Sequence, residues 1–193
     1  MIADEIYEDM VFEGNEYIPL ARLSKESKEL SWPILTCSGL SKRFLVPGWR
    51  FGWVTIHEPE EFDLTEIRKG LFDLSTLIIG ACTLIQSALP DIFENTPESF
   101  YEDTNKVLEI NSVFLTDELG KIKGLKVIKP QGTMYMLIGI DFDEFEGFND
   151  DLKVSELLIS EQSISVLPGS VQILLCKSVN YKFCVDIWYK RIF

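Results

Sequence analysis

Four side chains in this sequence have types and spacing that invite chemistry. Lys42 lies in Ser38-Gly-Leu-Ser-Lys-Arg-Phe44, and Arg50 follows between Trp49 and Phe51. Asp4 ends the apolar opening Met-Ile-Ala, and Tyr7 stands three residues later. A lysine near apolar groups and a second cation is a candidate imine-forming amine. The local alternative is a surface lysine in a turn. An arginine within an aromatic strand calls for an anion, because an unpaired buried charge is costly. That anion is either a structural carboxylate or a ligand phosphate. A carboxylate at a strand's carboxyl end can face a ligand crevice, or simply end the strand. The single histidine, His57, sits in His-Glu-Pro-Glu-Glu and reads as a surface residue flanked by acids.

Taken together, the four residues suggest one cofactor. Pyridoxal phosphate needs a lysine for its aldehyde and an acid for its pyridine nitrogen. It also needs a phenol for its ring oxygen and an arginine for its phosphate. Asp-x-x-Tyr, then Lys42, then Arg50 supplies that set in chain order.

These side chains must be carried by strands and helices. Residues 33–38 form a short apolar run that predicts a buried parallel strand, and 49–56 predict another. The opening residues read as the end of a buried strand, which places Met1 inside a larger domain. Helices are predicted at about 60–73 and 77–94, with acids early and Arg68 and Lys69 late in the first. Thr96-Pro97-Glu98 predicts the start of a long helix reaching about Leu119, with Thr96 as N-cap. Leu125 to Pro130 alternates as a strand, Gln131-Gly132 turns, and 134–140 gives a second strand. A helix at about 152–161 and a short apolar run at 164–167 follow. Residues 171–193 carry no capping signal.

The resulting fold class is α/β. Part of a large domain with a mostly parallel sheet, residues 1–105, is joined by a long helix to a smaller α+β domain, residues 106–193. Within the latter, the tail 171–193 diverges.

Bulk properties narrow the partners. A net charge of −13 disfavours nucleic acid and anionic lipid. Neither a signal segment nor an apolar run of the ~20 residues needed for a spanning helix is read. Cys37, Cys82, Cys176 and Cys184 include no CxxC pair, which fits reduced thiols in a cytoplasmic protein. One histidine argues against a histidine-rich metal site.

ADEIYEDMVF, SGLSKRFLVPGWRFGW and PQGTMYMLIGID resemble the class I/II, fold type I pyridoxal-phosphate aminotransferases, on the tyrosine aminotransferase branch. The likeness runs from residue 2 to about 170. It implies that Lys42 links the cofactor covalently and moves the reaction proton. Asp4 would hold the pyridine nitrogen protonated, Tyr7 would hydrogen-bond the ring oxygen, and Arg50 would bind the phosphate. Ser38, at the matching position or one residue from it, would add a hydroxyl to the phosphate. The implied reaction is a two-step amino transfer from an amino acid to a 2-oxo acid such as 2-oxoglutarate, in a homodimer.

Two of the family's parts have no counterpart here. The first half of its sequence, with the ring-stacking aromatic and the glycine-rich phosphate turn, is absent. After Ser170 the expected arginine for the substrate carboxylate is not read either: none occurs between Arg68 and Arg191, Arg191 has the wrong surroundings, and Lys177 or Lys182 would be weaker substitutes. The alternatives are therefore an inactive fragment that associates with an intact subunit, or a sibling alanine- or kynurenine-type transaminase.

Overall fold

The elements follow from a switch between alternating strand patterns and helical runs along the chain. In this computed structural model, residues 1–27, 31–172 and 183–186 are described. Lys177, Lys182 and Cys176 lie outside them. The chain divides into two compact units, Met1–Glu102 and Asp103–Phe193.

The first unit holds strands β1 (Ile2–Asp4), β2 (Ile34–Gly39) and β3 (Gly52–His57) in the order β1-β2-β3. β1 runs parallel to β2, with Asp4 opposite Cys37. β3 runs antiparallel to β2, with Gly39 opposite Gly52 and Ser38 opposite Trp53. This corrects the expectation of a second parallel strand at 49–56. Only residues 40–51 separate β2 from β3, and they turn back through a short helix, α2 (Leu40–Arg43), and a 3-10 turn, Pro47–Trp49. These twelve residues only just reach the length of a parallel crossover and contain no full crossover helix, so the chain turns back instead. The buried reading of the first strand is also corrected: β1 pairs with β2 alone among the described residues, and Ile2 is exposed.

Helix α1 (Leu20–Glu26) lies between β1 and β2. The buried Glu5 carboxylate accepts from the Leu20 amide at 2.9 Å, tying the start of α1 to the end of β1. Ser24 both donates to the Trp32 carbonyl and accepts from the Trp32 amide, closing the loop before β2. Ile34 and Leu40 are fully buried, and Phe44, Met10, Phe12 and Leu64 are buried in this unit as well.

Helices α3 (Thr65–Thr76) and α4 (Thr83–Asn95) start later than their apolar runs suggest. Leu77-Ile78-Ile79 is not helical in α4 but forms the bend before it, with Ile79 at φ 58° and Gly80 at φ 78°. Apolar runs with no face to bury against do not dictate a helix. Helix α5 (Glu98–Leu119) follows. Thr96, expected to accept at its start, instead donates its hydroxyl to the Ile92 carbonyl at 2.6 Å and closes α4.

In the second unit the sheet order is β4-β5-β7-β6, from β4 (Leu125–Ile128), β5 (Tyr135–Ile140), β6 (Leu167–Pro168) and β7 (Phe183–Asp186). All its pairings are antiparallel. β7 was not foreseen, because its four residues sit in a stretch without turn signals. Helix α6 (Asp151–Gln162) is capped by the Asp150 carboxylate, which accepts from the Lys153 amide at 2.7 Å. Helix α7 (Gly169–Gln172) is held by buried Asp151, whose carboxylate accepts from the Ser170 amide at 2.7 Å. Leu108, Met136, Ile138 and Val166 are buried in this unit. No helix among the described residues is long and apolar enough to cross a membrane.

Candidate cofactor site at one end of the first sheet

Strand direction collects the site residues. The carboxyl ends of β1 and β2 and the amino end of β3 share one edge of the sheet. Asp4 is the last residue of β1, and Ser38 is the penultimate residue of β2. Lys42 lies in the helix that β2 runs into, and Arg50 stands two residues before β3. Tyr7 belongs to the turn after β1, where the Glu8 amide donates to the Glu5 carbonyl and the Met10 amide to the Tyr7 carbonyl. All five residues thus sit at one sheet end, the location where α/β folds hold ligands.

The step from β2 into α2 depends on close backbone approach. A Cβ on Gly39 would stand 2.7 Å from the Phe51 carbonyl oxygen and 3.0 Å from Gly52 Cα. A Cβ on Gly52 would stand 2.9 Å from the Ser38 carbonyl oxygen. Gly39 has φ 175°, extended backbone open to any residue, so space rather than dihedral angle demands the glycine. The Leu40 amide donates to that same Phe51 carbonyl at 3.1 Å.

Lys42 Nζ stands 5.3 Å from the centroid of the Tyr7 ring and is half-buried. This contact joins two of the five residues. Asp4 is exposed, and one of its carboxylate oxygens accepts from the Ile6 amide at 3.3 Å. Ser38 donates its hydroxyl to the Glu8 carboxylate at 3.0 Å. Arg50 is exposed, adopts a left-handed backbone with φ 50°, and donates from Nη1 to the Pro47 carbonyl at 2.8 Å. A non-glycine residue held there carries local strain, which is a feature of functional loops.

Tested against the chemistry of pyridoxal phosphate, the donor set fits. An amine, an acid, a phenol, a hydroxyl and a guanidinium lie at one sheet end. Arg50 and Ser38 would each exchange an internal hydrogen bond for a phosphate oxygen, and the Glu8 carboxylate beside Ser38 would have to turn away from it.

Sequence reasoning passed over Glu5, Glu8, Asp9 and Arg43. Glu5 is buried and holds the start of α1, and it also pushes up the Tyr17 phenol, on top of the effect of burial. Arg43 Nη1 pairs with Asp9 Oδ1 at 3.4 Å. The signal available was the alternation in Glu-Ile-Tyr-Glu-Asp, which puts acids around Tyr7, and the Lys-Arg pair on a single helical turn.

Comparison with known proteins places these residues in context. The model of the family "Aminotransferase class I and II" matches residues 1–185. Tyrosine aminotransferase of Mus musculus is 45% identical over 170 residues, covering 88% of this chain and 36% of the mouse protein. The Caenorhabditis elegans tyrosine aminotransferase is 41% identical over 169 residues. The chain therefore spans about a third of the length of these relatives. Among solved structures, tyrosine aminotransferase from Leishmania infantum superposes with TM-score 0.78 at 22% identity, covering 96% of this chain and 43% of that one. An alanine aminotransferase from Pyrococcus furiosus gives 0.78 at 25% identity, covering 96% and 44%.

Proposed function

The chain belongs to the class I and II aminotransferases, and from that premise we propose that it carries the cofactor-anchoring part of a tyrosine aminotransferase. The reaction is transfer of the amino group from L-tyrosine to 2-oxoglutarate, giving 4-hydroxyphenylpyruvate and L-glutamate. The observation that carries this reading is Lys42 Nζ over the Tyr7 ring at the end of the β1–β2 edge. Identity of 45% with the mouse tyrosine aminotransferase supports the branch.

Pyridoxal phosphate, when bound, supplies an electron sink for charge developing at the substrate Cα. Lys42 would hold the cofactor at its aldehyde carbon, and its amine would be the group that moves the proton. Asp4 would keep a proton on the ring nitrogen, and the Tyr7 hydroxyl would hydrogen-bond the ring oxygen. Ser38 and Arg50 would hold the phosphate, Arg50 through its planar fork of donors.

A specific observation favours a second reading, in which this chain works only in association with another polypeptide. The α3–α4 region exposes Phe72, Leu74, Leu77, Ile78, Ile79 and Leu84, with Ile79 at 93%. Contiguous exposed apolar surface marks association sites. The sibling alanine-type and kynurenine-type activities remain distinguishable by substrate.

The deciding experiment adds pyridoxal phosphate to the purified chain. A lysine-linked absorbance band that disappears in Lys42→Ala, with turnover of tyrosine above alanine and kynurenine, supports the first reading. A band and turnover that arise only after adding an intact homologous subunit support the second. Binding unchanged in Lys42→Ala refutes both.

A further inference from the structure

Lys42 is carried by a helix of four residues, Leu40–Arg43. One turn of helix cannot hold itself together, because nucleation is not repaid over so short a length. What fixes it must be tertiary. Leu40 is fully buried and anchors one face. The side chain next to Lys42 supplies a second anchor.

Arg43 follows Lys42 by about 100° around the helix axis, so the two side chains diverge. Arg43 Cζ lies 5.6 Å from the Phe44 ring, 5.5 Å from Phe93 and 5.3 Å from Tyr101. These rings also support one another: Phe44 meets Phe93 at 5.6 Å and Tyr101 at 5.9 Å, both edge to face. Arg43 Nε is buried without a hydrogen-bond partner. The other end of the guanidinium pairs with Asp9 at 3.4 Å. Tyr7, Glu8 and Asp9 are consecutive residues of the turn after β1. Lys42 meets Tyr7, Ser38 meets Glu8, and Arg43 meets Asp9. The turn and the β2–α2 junction are therefore stitched together by three side-chain pairs side by side.

We propose that Arg43, held between Asp9 and the Phe44–Phe93–Tyr101 cluster, is a positioning residue that fixes α2 against the turn after β1 and so keeps Lys42 over Tyr7. Its meaning for catalysis rests on the cofactor reading above, but the geometry does not. A guanidinium suits the role because it stacks on rings while its edge binds a carboxylate. Lysine at 43 would keep the charge and lose the planar contact. Asp9 and Arg43 act as one link, so removing either removes most of the restraint, and removing both adds little.

The test uses the full chain with carbon-13 at the lysine ε-position, the Lys42 signal being assigned by Lys42→Arg. The Tyr7 ring displaces that signal, and Tyr7→Leu gives its value without the ring. Arg43→Ala and Asp9→Asn should each move the Lys42 signal most of the way to that value. The double variant should move it no further, and Arg43→Lys should recover part of the displacement. In parallel, reductive labelling with pyridoxal phosphate and borohydride, read by peptide mass, should fall at Lys42 by roughly tenfold or more in Arg43→Ala. Labelling of exposed Lys126 should stay constant. If the Lys42 signal stays in place in a folded Arg43→Ala chain, the inference is overturned. Should that variant fail to fold, Asp9→Asn decides on the same two readouts. If the signal moves as stated but wild-type Lys42 is labelled no faster than Lys126, Arg43 still positions Lys42 and the cofactor reading falls instead.

Discussion

Replacing Gly39 by alanine tests the close approach that launches the Lys42 helix. The new Cβ would meet the Phe51 carbonyl oxygen at 2.7 Å and Gly52 Cα at 3.0 Å, both of them backbone atoms that cannot rotate away. β2 and β3 must separate by several tenths of an ångström at their paired ends. Overpacking of this kind costs about 1–3 kcal/mol. The Phe51 oxygen also accepts from the Leu40 amide, and weakening that bond adds about 1 kcal/mol. The reduced freedom of the unfolded chain returns ~0.5 kcal/mol. The net loss is about 1.5–3.5 kcal/mol, which for a unit of this size lowers the melting midpoint by roughly 6–28 °C. Gly48 is the internal control. Nothing lies within 4 Å of a Cβ there, and its φ is not positive. Gly48→Ala should leave the midpoint within about 3 °C of wild type. The assay is thermal and urea unfolding by circular dichroism, with hydrogen exchange read in peptides covering β2 and β3. Equal stability of the two variants would refute the close-packing argument.

Other expectations concern single groups. Thr36 buries a hydroxyl with no hydrogen-bond partner, so Thr36→Val should be neutral or stabilising by up to about 1–2 kcal/mol in urea unfolding. Leu108 is fully buried in α5, and Leu108→Ala should cost about 2.7–5 kcal/mol by the same assay. Burial pushes the Asp9 carboxyl up, with Arg43 opposing and Glu98 adding to the rise. The folded state therefore holds this proton more tightly than the unfolded chain does. Asp9's contribution is fully present below about pH 3.8 and is lost as pH rises through its folded value. Wild type should gain stability relative to Asp9→Asn as pH falls into that window. The Leu64 amide and Arg68 hold the Glu58 carboxyl below its usual range. Its contribution is present above about pH 4.5 and lost below, so Glu58→Gln should flatten acid unfolding of the first unit.

The order of strands and helices was legible wherever pattern and punctuation agreed. β2, β4, β5 and α6 match their sequence reading to within a few residues, because alternation and caps are local signals. The sequence also supplied the list of reactive groups, Asp4, Tyr7, Ser38, Lys42 and Arg50, and the resemblance that gave each a role. Three things were not legible. The antiparallel direction of β3 depends on how residues 40–51 fold back. The bend at Leu77–Gly80 depends on which apolar side chains find a surface to cover. The short strand β7 exists through pairing with β5 and β6, which no local signal announces.

At the site the division is sharper. Composition and spacing determined which chemistry the chain can carry, since an amine, an acid, a phenol and a guanidinium have fixed reactivities wherever they stand. Only the tertiary structure decided which of them meet. It brought Lys42 to Tyr7 and turned Arg50 toward Pro47. It also gave Arg43, which the sequence shows only as a second cation beside Lys42, a carboxylate and three aromatic rings. Phe44 is the next residue, but Asp9, Phe93 and Tyr101 lie far from Arg43 in the chain. Only long-range packing brings those three to it, and no local pattern encodes that.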